Sequence, residues 1–368
     1  MRVERDIAGI TLPFVVGVGL TLYAGHSSLI RSGWSAALAF SIITAAALFL
    51  LHPCHRHASR LTIRTSAALC LAACGALCGI SSGLLSSGIP YLTDHFGRWG
   101  IATGHVIDAA GFTDPDTNAI IKALIIGDRS DMPDHITEAF RKSGASHILA
   151  LSGLHLGIIY GILSKSLSVI GNFSQAKRIR STLTVIICGL YTLATGAGAS
   201  ITRAFIFILT GEAARLTGRF RSTGSILMTA LLIHLVIDPA AIRDVGFQLS
   251  YAAMAGVAFI FPWLKGFWPQ EVKFRKFRDP LKWIWETAAL SISCQITTGP
   301  LAYVYFDTFP VHFLLTNLIA IPLTGLIIPA SLATLFLSAL GICPQTAVRA
   351  TEALVTALSE ALNIIASM

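Results

Sequence analysis

Ser152, Gly153, Leu154 and His155 put a hydroxyl and an imidazole three residues apart, one helical turn, at the head of an apolar stretch. A serine and a histidine at that spacing can share a proton. A hydrolytic pair also needs an acidic residue to orient the imidazole, and none stands nearby in sequence. His147 lies on the same helical face as His155, but eight residues span about 12 Å of a continuous helix, too far for one metal ion to bridge. A zinc site would need a break at Ser152-Gly153 and further ligands. Two readings remain for Ser152 and His155: ordinary helix packing, or the lining of a polar path. Gly153, Gly157 and Gly161 recur every four residues and make a smooth stripe suited to close helix packing.

A second set begins at Gly196-Ala197-Gly198-Ala199-Ser200. A glycine-rich turn that opens a helix offers free backbone N–H groups to an anion, with Gly196 and Gly198 as its hinge and Ser200 beside it. Arg203 follows one turn later. An arginine at the centre of a bilayer costs roughly 2.5–3.5 kcal/mol, so its guanidinium must face protein or water. Glu212 is nine residues on and half a turn round the helix, a poor partner for Arg203 within one helix. Gln248, Ser250 and Tyr251, then Gln295, Thr297 and Thr298, add hydrogen-bonding groups to otherwise apolar segments. Pro300, Pro310, Pro322 and Pro329 are expected to interrupt helices, with residues 310–321 forming a re-entrant half-helix that has Asn317 near its tip. Other motifs point nowhere in particular. Gly79-Ile80-Ser81-Ser82-Gly83 is a chance match to a nucleophile elbow at the end of an apolar span. His52, Cys54, His55 and His57 sit in a basic loop, and Cys70, Cys74 and Cys78 are small packing residues. No metal or cofactor is expected.

The elements that must position these residues are membrane helices. With 54% apolar and only 12% charged residues, the chain is outside the composition of soluble globular domains. Apolar segments near the roughly 20 residues that cross a bilayer recur about eleven times, from 7–25 to 346–367. Of the 27 Lys and Arg residues, 18 fall in alternate connecting segments, including Arg56, Lys177, Arg219 and the stretch from Lys265 to Lys282. That alternation places the N-terminus of a multi-pass protein in the cytoplasm and residues 86–146 outside. The first span lacks a small-residue cleavage site and reads as a retained anchor. The loop from Lys265 to Trp283 interleaves six basic residues with five aromatic ones, which suits an anionic lipid surface or a single strand.

Residues 86–146 form the substantial water-facing piece, between N-terminal spans (1–85) and a C-terminal membrane domain (147–368). Eight acidic against five basic residues make it a poor DNA-binding surface. Ile120, Ile121, Leu124 and Ile125, then Ile136 and Phe140, predict two short amphipathic helices, the second opened by Asp131 or Pro133. They form either a packing cap or a rim at an entrance.

Taken together, the run from Ala123 to Gly157, GAGASITRA (196–204), DVGFQLSYAAM (244–254), PLAYVYF and IAIPLTGLIIP resemble the ComEC-type competence proteins. The resemblance covers roughly residues 120–345. It implies an all-helical membrane channel that passes single-stranded DNA into the cytoplasm during transformation, conducting rather than catalysing. Ser152, His155, Ser200, Arg203, Gln248 and Tyr251 would line the path. It also implies a DNA receptor, a separate nuclease and a cytoplasmic motor or DNA-binding proteins, since the sequence has no GxxxxGK[ST] motif; a homo-oligomer is compatible. Full-length relatives commonly carry an OB-like domain and a metallo-β-lactamase-like domain. Neither is expected here, because about 60 outer residues are too few for the first and His55-Arg56-His57 lacks the aspartate of the second. Two rivals use the same residues differently: a carrier for a small polar or anionic solute, and a scaffold for soluble partners.

Overall fold

A computed structural model of the chain describes residues 2–24, 68–69, 71–76, 78, 102–171, 173–218, 222–268, 275–307 and 311–368. The expected span at 34–51, most of that at 65–85, the His52–His57 cluster, Cys70, the Gly79–Gly83 motif and Pro310 lie outside the described residues. Within them every regular element is helical, and no strand occurs.

In chain order the helices are α1 (Arg2–Ala24), α2 (Pro115–Ile125), α3 (Asp134–Lys142), α4 (Ser146–Leu149), α5 (Gly153–Ser166), α6 (Ser174–Ala194), α7 (Ala199–Leu216), α8 (Thr223–Ile237), α9 (Val245–Ala255), α10 (Phe261–Lys265), α11 (Arg275–Phe306), α12 (Phe313–Ala339) and α13 (Gln345–Ala366). Three stretches are long and apolar enough to cross a membrane: Gly153–Ile170, Val245–Lys265 and Phe313–Ala339. Ile7–Leu20 and Thr223–Ile237 are shorter apolar helices. The expected figure of about eleven spans is not reached among the described residues. Helices do stand at the other described sites, but α6, α7 and α13 carry charges such as Arg178, Arg180, Glu212, Arg215 and Glu352, and α11 carries Ser291, Ser293, Gln295, Thr297 and Thr298, which dilute their apolar windows.

The chain divides into two compact units, Met1–Ile89 with Ala213–Tyr251, and Pro90–Glu212 with Ala252–Met368. In the first, α1 packs on α8 and on the 3-10 turn Pro239–Arg243. Its closest backbone approach depends on two glycines. A Cβ at Gly17 would run into the Ala72 carbonyl, and one at Gly75 into the Phe14 carbonyl.

The second unit is built around α12 and α13. On α13, Thr351, Val355, Leu358, Leu362 and Ile365 are buried at alternating steps of four and three, a stripe that seats the helix on α12. The two short outer helices stand where the periodicity places them. Asp114 caps α2 by accepting from the Asp116 and Thr117 N–H groups, with Pro115 in the first turn. Pro133 precedes α3. Ile120, Ile121 and Leu124 of α2 and Ile136 and Phe140 of α3 bury into one core with Ala320, Ile327 and Leu335 of α12 and Val355, Leu358 and Leu362 of α13. The Thr316 hydroxyl donates to the Ser143 carbonyl at 2.7 Å and fixes the head of α12 beneath α3.

The expectation of broken or re-entrant segments is overturned for the described prolines. Helix α11 runs through Pro280 and Pro300, and α12 runs through Pro322 and Pro329. Asn317 lies in the second turn of α12, not at the tip of a half-helix. Each proline removes one N–H bond, yet α12 is clamped along its length by Ala320, Ile327 and Leu335, and prolines are tolerated where neighbouring helices support the backbone. Irregularity appears instead just ahead of Pro262, as a π-helical turn over Gly256–Ile260 between α9 and α10, where the missing Pro262 N–H leaves a carbonyl of that turn without its bond. Gly256 permits it, because there α11 comes so near that a Cβ would meet the Ser293 carbonyl and the Thr297 hydroxyl.

Gly256→Ala should therefore cost about 1–3 kcal/mol by overpacking and lower the thermal unfolding midpoint of the purified chain. Gly157→Ala, where an added Cβ meets nothing within 4 Å among the described residues, should leave the midpoint unchanged or raise it.

Candidate functional site

The chain leaves helical geometry between α4 and α5. Ala150 and Ser152 are extended, and Ser152 becomes the N-cap of α5. Its hydroxyl accepts from the Leu154 N–H at 3.3 Å, while its own backbone N–H donates to His155 Nδ1 at 3.2 Å. The two residues thus form a reciprocal capping box with histidine in place of the usual glutamate or glutamine. This bond assigns the tautomer. Nδ1 holds the lone pair, so in the neutral ring Nε2 carries the proton. His155 is 0% exposed, and Nε2 has no hydrogen-bond partner among the described residues.

Helix α7 starts in a comparable way. The Gly196 and Ala197 N–H groups close α6 on the Leu193 and Thr192 carbonyls, and both residues take positive φ, +81° and +49°. For Ala197 that conformation carries strain, which the Thr202 hydroxyl helps to hold by donating to the Ala197 carbonyl at 3.0 Å. Leu156, Cys188 and Ile201 form one core between α5, α6 and α7. A Cβ at Gly153 would touch Ala204 Cβ at 3.4 Å, so the first turn of α5 meets the second turn of α7. Tyr160 reaches Glu212 farther along both helices, which makes them parallel. The N-terminus of α5, equivalent to roughly half a positive charge, therefore stands beside α7 one turn in from that helix's own start. Arg203 is only 3% exposed within the first turns of α7, and Ser200 is half-buried.

Of the expected path residues, Ser152, His155, Ser200 and Arg203 belong to these adjoining turns. Gln248 and Tyr251 belong to the other unit and have internal partners there: Gln248 Nε2 donates to the Ile242 carbonyl at 2.9 Å, and Tyr251 packs on Phe247 and contacts His234 Nδ1 at 3.3 Å. Of the expected packing stripe, Gly153 meets a neighbour, while nothing among the described residues lies within 4 Å of a Cβ at Gly157 or Gly161, and Leu156 and Ile159 supply the buried packing of α5. Thr297 and Thr298 bond to carbonyls within their own helix, and Gln295 borders an apolar groove with Tyr303 and Phe313. No group of His, Cys, Asp or Glu suited to a metal ion occurs among the described residues.

Sequence reasoning missed one site. Glu212, 3% exposed, accepts from the Tyr160 hydroxyl at 2.6 Å and the Ser181 hydroxyl at 2.5 Å, one on each carboxylate oxygen, and so ties α5, α6 and α7 together. A carboxylate in an apolar helix was the available signal. Weighing it only against Arg203 in the same helix hid partners on the two neighbouring helices.

Beside the glycine turn lies a cavity of about 410 Å³ lined by His105, Asp108, Lys122, Gly127, Asp128 and Gly196. Lys122 Nζ is 2.8 Å from both Asp108 and Asp131 and latches the outer segment. Those bonds hold the Lys122 ammonium above its ordinary pKa, and the Lys122 bond holds Asp108 below the usual carboxylate range. On α3, Arg141 holds the exposed Glu138 down to about 2.

A family model described as Competence protein matches residues 124–368, two thirds of the chain, including the Ser152–His155 turn, the glycine turn and Arg203. The chain belongs to this competence family. It is 28% identical over 230 residues to ComE operon protein 3 of Bacillus subtilis, covering 61% of this chain and 27% of that protein. It is 28% identical over 224 residues to the uncharacterized protein YcaI of Escherichia coli, covering 59% of this chain and 29% of that protein. Competence protein ComA of Neisseria gonorrhoeae is 25% identical over 171 residues, covering 43% and 25%. The chain thus spans about a quarter of the length of these competence-family relatives. No solved structure matches it. The family match begins at the end of α2, so it takes in α3 and the last part of the outer segment, residues 124–146.

The latch gives a pH signature. Carboxyls with depressed pKa values stabilise the fold above their unfolded values and lose that contribution as pH falls, for Glu138 between 4.5 and about 2. Lys122, with a raised value, contributes below about 10.4 and loses its contribution as pH rises beyond its folded value. Hydrogen-exchange protection of residues 115–142, corrected for intrinsic rates, should form a plateau from about pH 5 to about pH 10 and fall on both sides. Lys122→Met should lower the plateau and abolish the alkaline fall.

Proposed function

We propose that this chain forms a route across the bacterial inner membrane for one strand of DNA taken up during transformation. In this reading the protein conducts and does not catalyse. Force comes from a cytoplasmic motor or DNA-binding proteins, the strand is prepared by a separate nuclease and delivered by a receptor, and several copies can assemble. The N-terminus lies in the cytoplasm and the outer helices α2 and α3 rim the entrance.

The observation that carries the reading is the convergence of donors at the start of α5 and α7. The N-terminus of α5, the Nε2–H of His155, the buried Arg203 and the open glycine turn bring positive charge and N–H groups to neighbouring turns inside an apolar helical protein. That is a setting for a passing anion, and the matching family model and one relative carry competence in their names. The 410 Å³ cavity favours the second reading, a carrier for a small polar solute, because its size and mixed Asp and Lys lining suit a compact ligand better than a polyanion.

Uptake of fluorescent DNA by cells carrying Arg203→Ala tests the first reading, with membrane abundance of the variant measured alongside. Uptake should fall at least tenfold at normal abundance. Unchanged uptake would remove Arg203 from the route, and normal uptake in cells lacking the chain would favour the solute carrier.

A further inference from the structure

The reciprocal cap at Ser152 and His155 fixes more than a helix start. His155 uses Nδ1 to accept the Ser152 N–H, with the Ser152 hydroxyl also 3.0 Å away, so the ring can offer only a donor on its other side. That donor is Nε2–H, fully buried and without an acceptor among the described residues. A buried polar group left unsatisfied costs about 1–3 kcal/mol, a cost that an arriving acceptor would remove. The surroundings select which acceptor. Nε2–H lies in the first turn of the 14-residue helix α5, where the dipole favours negative charge, and the second turn of α7, which carries the buried Arg203, adjoins through Gly153 and Ala204.

Building on the DNA-route reading, we infer that His155 Nε2–H, in the first turn of α5 beside the second turn of α7, is a binding site for a phosphodiester oxygen. It recognises the charged, acceptor-only oxygen of the ester and not a base, so it is indifferent to sequence. The same chemistry is presented by a DNA backbone and by a phospholipid headgroup, and inorganic phosphate is its smallest probe. The proton stays on Nε2 throughout, because Nδ1 is committed to the cap.

The test uses the full chain with ¹⁵N-labelled histidine in maltoside detergent, which carries no phosphate. The His155 Nε2–H resonance is assigned by its loss in His155→Asn, whose amide oxygen stands near the Nδ1 position and can keep the cap while removing the inner donor. Oligothymidylate, inorganic phosphate and short-chain phosphatidylglycerol are then titrated separately. A downfield shift of the Nε2 proton with oligothymidylate or phosphate supports the site and assigns it to strand or free phosphate. A shift with phosphatidylglycerol alone supports a phosphodiester site filled by lipid. No shift with any of the three at saturation overturns the inference. Uptake in cells separates this from the wider reading: dependence on the chain without an Nε2 shift removes only the inference, and a shift without that dependence removes only the DNA route. At normal abundance, His155→Asn should lose most uptake while His155→Gln, which carries an amide donor toward the Nε2 position, should retain part. Wild-type uptake in His155→Asn would count against any role for the donor.

Discussion

One hydrogen bond, from the Ser152 N–H to His155 Nδ1, organises the centre of this molecule. It ends the extended break after α4, starts α5, and decides which nitrogen of a buried imidazole carries its proton. Inside an apolar environment a backbone break must be satisfied locally, since no water is at hand to do so. Here the satisfying group comes from the same turn that faces α7. The chemistry offered by His155 is therefore a consequence of helix capping, and a change that loosens the cap also changes what the ring can donate.

The rest of the second unit holds that turn in place. Glu212 ties α5 to α6 and α7 through two short charge-assisted bonds, and the Tyr191 hydroxyl donates to the Ile125 carbonyl at 2.6 Å, which joins the end of α6 to the end of α2. Arg129 Nε in turn donates to the Leu149 carbonyl at the end of α4. The outer helices are thus connected to the break by specific bonds and share their apolar core with α12 and α13. Outer helices held this way cannot shift without straining the cap that they border.

Much of this was legible in the sequence, for identifiable reasons. The short outer helices declared themselves because Ile120, Ile121 and Leu124, and Ile136 with Phe140, repeat at helical spacing beside Asp114-Pro115 and Pro133. The glycine turn at 196–198 was legible because positive φ is chiefly a glycine property, although Ala197 adopts it too. What failed was reasoning from single residue types. Pro300, Pro322 and Pro329 read as breaks, but whether a proline breaks a helix depends on neighbours that local sequence does not name. The close helix approach at Gly256 was not legible, because that glycine has no repeat to advertise it. Nor were the bonds of Gln248 and Tyr251 to Ile242 and His234, which lie in neighbouring elements of their own unit.

Site-directed capture of a strand in transit addresses the central claim most directly. DNA carrying 4-thiothymidine would be irradiated during uptake by cells bearing the full chain, and the adducts mapped by mass spectrometry. If the adjoining turns of α5 and α7 form the route, adducts should concentrate in residues 150–156 and 196–204. A strand that enters normally while leaving those two segments unmodified would contradict the account.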